Sequence, residues 1–346
     1  MYLVYFGFLL SFFIHAPLNA DANTTLPATE GYIDKTHKVV SKKIVTISEN
    51  IDTRLSRFFE SSDDNETLEK DEQTVDSFFQ NTKFIEETDE TYVSVRFDSF
   101  FQSKEPAQYN ARVNAQIPLV RSQRNLNIFV KSFNNEITDN LEPKDTQNTE
   151  YQPMIGLNYF MPIYENIKSK YSIAAYGLNP LIQARYGIEF PLGMWKLEPT
   201  QTFRYSLNDR FEEESNIYLD KQINKFKLFR VVLHRKTKED MPGVNYALSL
   251  QYYFSHKKNT GLSISQSFLG NTEYEFLEKD SLGVEQTKRF GGINNYATSI
   301  SWRKNIYREW LFYQVSPGIN YHKQYDYEPN YTLIFLFDLY FGRLKY

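Results

Sequence analysis

The chain has 346 residues, a formal net charge of -4, 24% charged residues and no cysteine, which excludes disulfides, thiolate metal sites, cysteine nucleophiles and a lipid-modified cysteine. Mean hydropathy is -0.54, yet 16% of the residues are aromatic, with 28 Phe and 26 Tyr. After residue 17 no apolar run approaches the about 18 residues that a membrane-crossing helix requires, which argues against an α-helical membrane protein. A β-barrel, in which only alternate residues meet lipid and aromatics gather at both interfaces, fits this composition.

The chain opens on an apolar core of signal-peptide length, LVYFGFLLSFFI at residues 3–14, followed by the small residues Ala20 and Ala22 before Asn23. Residues 1–22 are therefore read as a secretory signal peptide. Residues 23–90 are expected to be a periplasmic N-terminal segment. Within it Val40, Ile44, Ile47, Ile51, Leu55 and Phe58 recur at steps of three and four, the stripe of an amphipathic helix over about 37–60 that begins with the basic Lys38, Lys42 and Lys43. Such a helix packs on its own domain or binds a periplasmic protein partner. The acidic stretch 61–90 follows. From Glu60 to Glu90, 12 carboxylates face only Lys70 and Lys83, the composition of a solvated tether with little core of its own. A short echo runs through this region and into the next: LSRFFE (55–60), VDSFFQ (75–80) and FDSFFQ (97–102) each carry a Phe-Phe pair.

From Thr91 onward the texture changes to period-two alternation. Val93, Val95 and Phe97 alternate with Ser94, Arg96 and Asp98; Tyr109, Ala111, Val113, Ala115 and Ile117 alternate with Asn110, Arg112, Asn114 and Gln116. These runs have about the 9–11 residues that a tilted strand needs to cross a bilayer, longer than most soluble strands. Leu126, Ile128 and Val130 mark the next strand, and a polar loop follows near 134–150. The even positions from 174 to 190 are apolar almost throughout, with Gln183, Arg185 and Glu189 opposite them. Further strands begin at Trp195 and Val244, and Leu333, Phe335, Phe337, Leu339 and Phe341 line one face of the last.

The pattern predicts an all-β fold, an antiparallel transmembrane β-barrel over residues 91–346. Twelve or thirteen strands can be counted, and twelve is preferred because single-chain bacterial barrels have even numbers. The rival is a soluble β-sandwich or lectin-like fold, whose core face would favour aliphatics over Tyr and Phe.

Chemistry is sparse. The five histidines, His15, His37, His234, His256 and His322, show no metal-pair spacing, and Ser255 and His256 would face opposite sides of a strand. No phosphate loop, HExxH or calcium loop occurs. Neither an enzyme, a cofactor nor nucleic-acid binding is expected. Charge is more informative: residues 1–52 carry -1, residues 53–90 carry -8, and by difference residues 91–346 carry +5. Arg96, Arg112, Lys131, Arg185, Lys196 and Arg204 fall opposite the apolar faces and are candidate lumen-lining residues. A net-positive polar interior favours anions, whereas pairing with Asp98, Glu189 and Glu198 would fill a closed barrel.

At the C-terminal end the alternating register lands on Phe341, the candidate membrane-insertion signal for the barrel-insertion machinery. The segment 310–342, with Trp310, Phe312, Pro317-Gly318, Tyr321, a polar-aromatic tip through Pro329 and the closing Phe341-Gly342, resembles the C-terminal hairpin of uncharacterised Gram-negative outer-membrane β-barrel proteins. The resemblance implies a barrel in the outer membrane, exported by a signal peptide and embedded in the lipid bilayer. It brings no activity to any named residue. The expected functions are a porin-like channel for small solutes with weak anion preference, or a closed interaction barrel whose helix or outer loops bind a partner.

Overall fold

A computed structural model of the chain describes residues 31–55, 78–79 and 91–342, apart from 120–124, 133–152, 165, 258–259, 280–284 and 309. The expected signal peptide, most of the acidic stretch, the loop 134–150 and positions 56–60 of the expected helix lie outside the described residues.

Helix α1 spans Tyr32–Leu55, starting five residues before the predicted stretch. Thr36 and Thr53 donate their hydroxyls to the Tyr32 and Glu49 carbonyls one turn back, at 2.9 and 2.7 Å, the usual way a threonine is satisfied inside a helix. The apolar spacing locates the helix but not its covered face. Ile47 is 54% exposed, while Asp34, Ser48 and Asp52 are the buried positions.

From Tyr92 the chain is antiparallel strand after strand. β1 (Tyr92–Gln102), β2 (Gln108–Pro118), β3 (Leu126–Ser132), β4 (Pro153–Tyr164), β5 (Ile167–Tyr176) and β6 (Asn179–Ile188) pair in sequence. β7 (Phe190–Leu192), β8 (Trp195–Ser206), β9 (Arg210–Asn224), β10 (Lys227–Lys238) and β11 (Asn245–Lys257) continue the order, followed by β12 (Thr260–Lys279), β13 (Glu285–Tyr307), β14 (Leu311–His322) and β15 (Pro329–Gly342). The sheet closes on itself where β1 meets β15, from Tyr92 opposite Gly342 to Gln102 opposite Thr332. β6 and the short β7 are one stave. Both pair with β8 in a single register, interrupted where the ladder reaches Pro199, which has no N–H to donate. Among the described residues the strands form one closed sheet, which overturns the sandwich alternative.

The wall therefore has 14 strands, and the predicted twelve is corrected. The undercount has a physical source in residues 174–190, where the even positions looked like one continuous face. They are two. Gly177, at φ 59°, and Leu178 form a two-residue turn between Tyr176 and Asn179. A two-residue turn reverses the chain without breaking the alternation, so even residues change sides across it. Ala174 and Tyr176 point inward and pack with Phe129, Met154 and Leu181. Ile182 beyond the turn points outward, opposite Ile173, and these two are 56% and 68% exposed.

Elsewhere the alternation sorts residues as the sequence predicts. Val93, Val95 and Phe97 of β1 share the outer face with Phe335, Phe337, Leu339 and Phe341 of β15, while Ser94, Asp98 and Asp338 are buried on the inner face. β12 and β13 have 20 and 23 residues, well beyond the other strands. Their hairpin projects past the end of the barrel opposite to Tyr92 and Gly342, here termed the distal end. The end carrying those two residues is the proximal end.

Closure leaves little slack at Gly156 of β4, where a Cβ would stand 2.5 Å from the Ile173 carbonyl oxygen and 2.6 Å from the Ala174 Cβ. Unheated protein should migrate faster than boiled protein in SDS gels, because the closed ladder resists the detergent. Gly156→Val should lower the urea midpoint of that fast form, by about 1–3 kcal/mol for overpacking. An unchanged midpoint would show that the β4–β5 contact is looser than described.

Candidate functional site in the barrel lumen

The inner face is built by parity. Once closure fixes which residues of a strand point outward, the others project into the lumen, and their polar groups must find partners there. The densest cluster lies at the β1–β15 seam. Arg96 stands directly opposite Asp338 and grips it in fork fashion, Nε to Oδ1 at 2.6 Å and Nη2 to Oδ2 at 3.0 Å. Arg303 reaches over β14 to the same carboxylate, Nη1 to Oδ2 at 2.7 Å, with its guanidinium 4.8 Å from the Phe312 ring centre. The Tyr340 hydroxyl accepts from Arg303 at 3.2 Å and donates to Asp338 at 3.1 Å. Asp338 and Arg303 have no solvent exposure.

Next to it, Arg112 of β2 is the register partner of Arg96, so two like charges face each other on adjacent strands. Such a pair is repulsive unless each has its own counter-ion. Arg112 has Asp98, at 2.5 and 2.9 Å, and Asn110 donates to the other carboxylate oxygen at 2.8 Å.

The opposite wall repeats the device. Arg230 binds Asp220 through two hydrogen bonds of 2.7 Å and lies 5.5 Å from the Tyr218 ring centre. Glu212 pairs with Arg204 and is also 3.4 Å from both Lys236 and Lys238. His234 meets Asn216 at 2.7 Å and stands 3.8 Å from Glu214. At the proximal end Glu189 pairs with Lys168 and, at 2.8 Å, with Lys196, which is also 3.6 Å from Glu198.

Basic side chains thus share carboxylates: two arginines on Asp338, and an arginine and two lysines on Glu212. Nearly all of these pairs join adjacent strands. They run along the wall and brace it laterally.

All six cations predicted to line the lumen lie on this inner face, but they do not converge. Arg96, Arg112, Lys196 and Arg204 belong to three separate clusters. Arg185 is buried in β6, and Lys131 of β3 lies on the side of the buried Asn127 and Phe129. Asp98, Glu189 and Glu198 all take cation partners. Asp338, Arg303, Arg230, Lys236 and Glu212 were not singled out in the sequence. Their signal is alternation itself, as in Trp302-Arg303 and Phe337-Asp338, where the charge follows an outward aromatic. Phe341 sits on the outer face opposite Val93. His322 accepts from the Gln324 N–H at 3.0 Å, and the His256 side chain lies outside the described residues. Among the described residues no three His, Asp or Glu side chains are grouped to hold a metal ion. At the distal tip Tyr325 donates to Glu105 at 3.0 Å, and burial together with that carboxylate pushes its phenol above the ordinary range.

No family model and no curated protein matches the chain. Solved structures do. The chain is similar to outer-membrane expressed OmpT of Vibrio cholerae, at 9% identity over 72% of this chain and 96% of that one, with a TM-score of 0.42. It is similar to OccK11 (OpdR) of Pseudomonas aeruginosa at 6% identity, over 73% and 95% of the two chains, with a TM-score of 0.41. The KdgM porin in complex with disordered oligogalacturonate matches at 6% identity, over 71% and 98%, with a TM-score of 0.34. At these identities and scores the barrel rests on its own register and alternation.

Removing one partner of a buried ion pair leaves an uncompensated charge and costs about 3–5 kcal/mol. Asp338→Asn, which strands two arginines at once, should therefore sharply lower the urea midpoint of the folded form. Glu328→Gln, at the exposed Lys104–Glu328 pair of 2.5 Å, should change it by less than about 1 kcal/mol. Equal effects of the two substitutions would contradict the Asp338 cluster as a structural brace.

Proposed function

We propose that the chain is an outer-membrane β-barrel that passes small anionic solutes, with α1 on the periplasmic side and Phe341 offered to the insertion machinery. The observation that carries this reading is the sharing of carboxylates on the inner face, where Asp338 serves both Arg96 and Arg303 and Glu212 serves both Arg204 and Lys238. A carboxylate answering two cations leaves a positive field in a low-dielectric enclosure, where it attracts anions from solution. Support for the membrane comes from the apolar outer face and from strand lengths near those that span a bilayer. Fourteen strands rather than twelve also widen the enclosure by about one-sixth, since diameter grows roughly linearly with strand number. The reading involves no catalysis, and hydrolysis of lipid in mixed micelles by the purified protein would count against it.

A closed interaction barrel is the second reading, and one observation favours it. Inner-face residues such as Ser267, Asn295, Asn330 and Asp338 have no exposure at all. The two readings part in planar bilayers. The channel predicts stepwise currents with a reversal potential on the chloride side in a KCl gradient, moved toward potassium by Lys196→Glu together with Lys238→Glu. Bilayers that stay sealed with inserted protein would leave the closed barrel standing.

A further inference from the structure

The Phe-Phe pair at 78–79, upstream of the barrel in sequence, lies inside its proximal end. Both rings are buried, in a socket made by Leu228 of β10, Tyr253 of β11, Phe312 of β14 and Tyr340 of β15, with Trp310 packed against it. Each strand residue projects inward by the parity of its strand, so the socket belongs to the lumen. The contacts have aromatic geometry. Phe78 stands edge-on to Phe79 at 5.2 Å and to Phe312 at 5.9 Å, and Phe79 lies 5.1 Å from Tyr253; such arrangements add to the burial itself.

Two features mark the socket as built for this pair. The first is Gly261 of β12, where a Cβ would come within 2.6 Å of both rings. The wall omits a side chain where the pair must fit. The second is the layer beyond. Phe312 contacts both Phe78 and the Arg303 guanidinium, and Tyr340 touches Phe312 at 5.8 Å while binding Asp338. The aromatic layer therefore lies on the proximal side of the fully buried Asp338 and Arg303.

We propose that the socket is a binding site for an aromatic dipeptide of the chain itself, and that Phe78-Phe79 is a tethered stopper closing the proximal end of the lumen. This rests on the channel reading in one respect only, that opening the end should pass current. The seat itself is a separate matter.

The absence of cysteine makes the test clean. A single Ser255→Cys, on the inner face and the register partner of Gly261, reports access to the socket. Its labelling by a water-soluble maleimide in the full-length membrane-extracted protein should rise several-fold when Phe78→Ser and Phe79→Ser are added. Gly261→Leu, which fills the seat and leaves the pair intact, should raise it likewise. Heat-modifiable mobility would verify that each variant is still a barrel, and the double serine variant leaves every strand untouched. Equal labelling in the parent and the double variant would overturn the stopper. In planar bilayers the double variant should open more often than the parent. If labelling rises and neither protein conducts, the stopper is supported and the channel reading fails. If the parent conducts and the double variant conducts no more, the pair does not close the pore and the proposal falls.

Discussion

A strand in the wall of this barrel has two free directions and two occupied ones. Its backbone N–H and C=O groups are spent sideways on its neighbours, because a barrel leaves them no other partner. Its side chains can then point only outward or inward, in strict alternation. Everything else in the structure depends on this. The β1–β15 seam fixes the register from Tyr92 against Gly342, and that register decides that Phe337 faces out and Asp338 faces in. A slip of one residue would exchange them, setting a carboxylate on the apolar face and aromatics in the polar interior. The Arg96–Asp338 pair, direct partners across the seam, makes such a slip costly and so reports the register that it stabilises.

The inner face shows how a barrel carries many charges without losing stability. Buried charges are costly unless paired and hydrogen-bonded. Cross-strand register supplies partners at short range, as with Arg230 and Asp220 or Arg204 and Glu212. Since these pairs lie along the wall, bracing it does not require filling the lumen. A structural role and a conducting one are compatible for the same residues. The aromatic layer of Phe312, Tyr340, Phe78 and Phe79 is of another kind, because part of it comes from outside the wall.

How much of this could be read from the sequence follows from the range of the interactions. Alternation is local, so the fold class, the start of the first strand at Tyr92 and the inward side of Arg96 and Arg112 were all legible. The strand count was not, because a two-residue turn at Gly177-Leu178 preserves the pattern while reversing the face, and small inward residues such as Ala174 disguise the change. Pairing is non-local: nothing near Asp338 in the sequence announces Arg303, whose contact spans β14. The helix was found from its spacing, but its covered positions, Asp34, Ser48 and Asp52, are polar and carry no hydrophobic signal. The repeated Phe-Phe pair was visible, and its destination depended on a socket assembled from strands far along the chain.

Alternation of environment along one strand is the most direct measurement. Single cysteines placed at successive positions from residue 331 to 341 of β15, labelled with an environment-sensitive fluorophore in reconstituted bilayers, can be quenched from within the lipid. The structure predicts strong lipid quenching at odd positions, including 333, 335 and 337, and weak quenching at even ones, with the contrast holding from one end of the strand to the other. Uniform quenching along the segment, or a helical period in place of the period of two, would contradict the barrel.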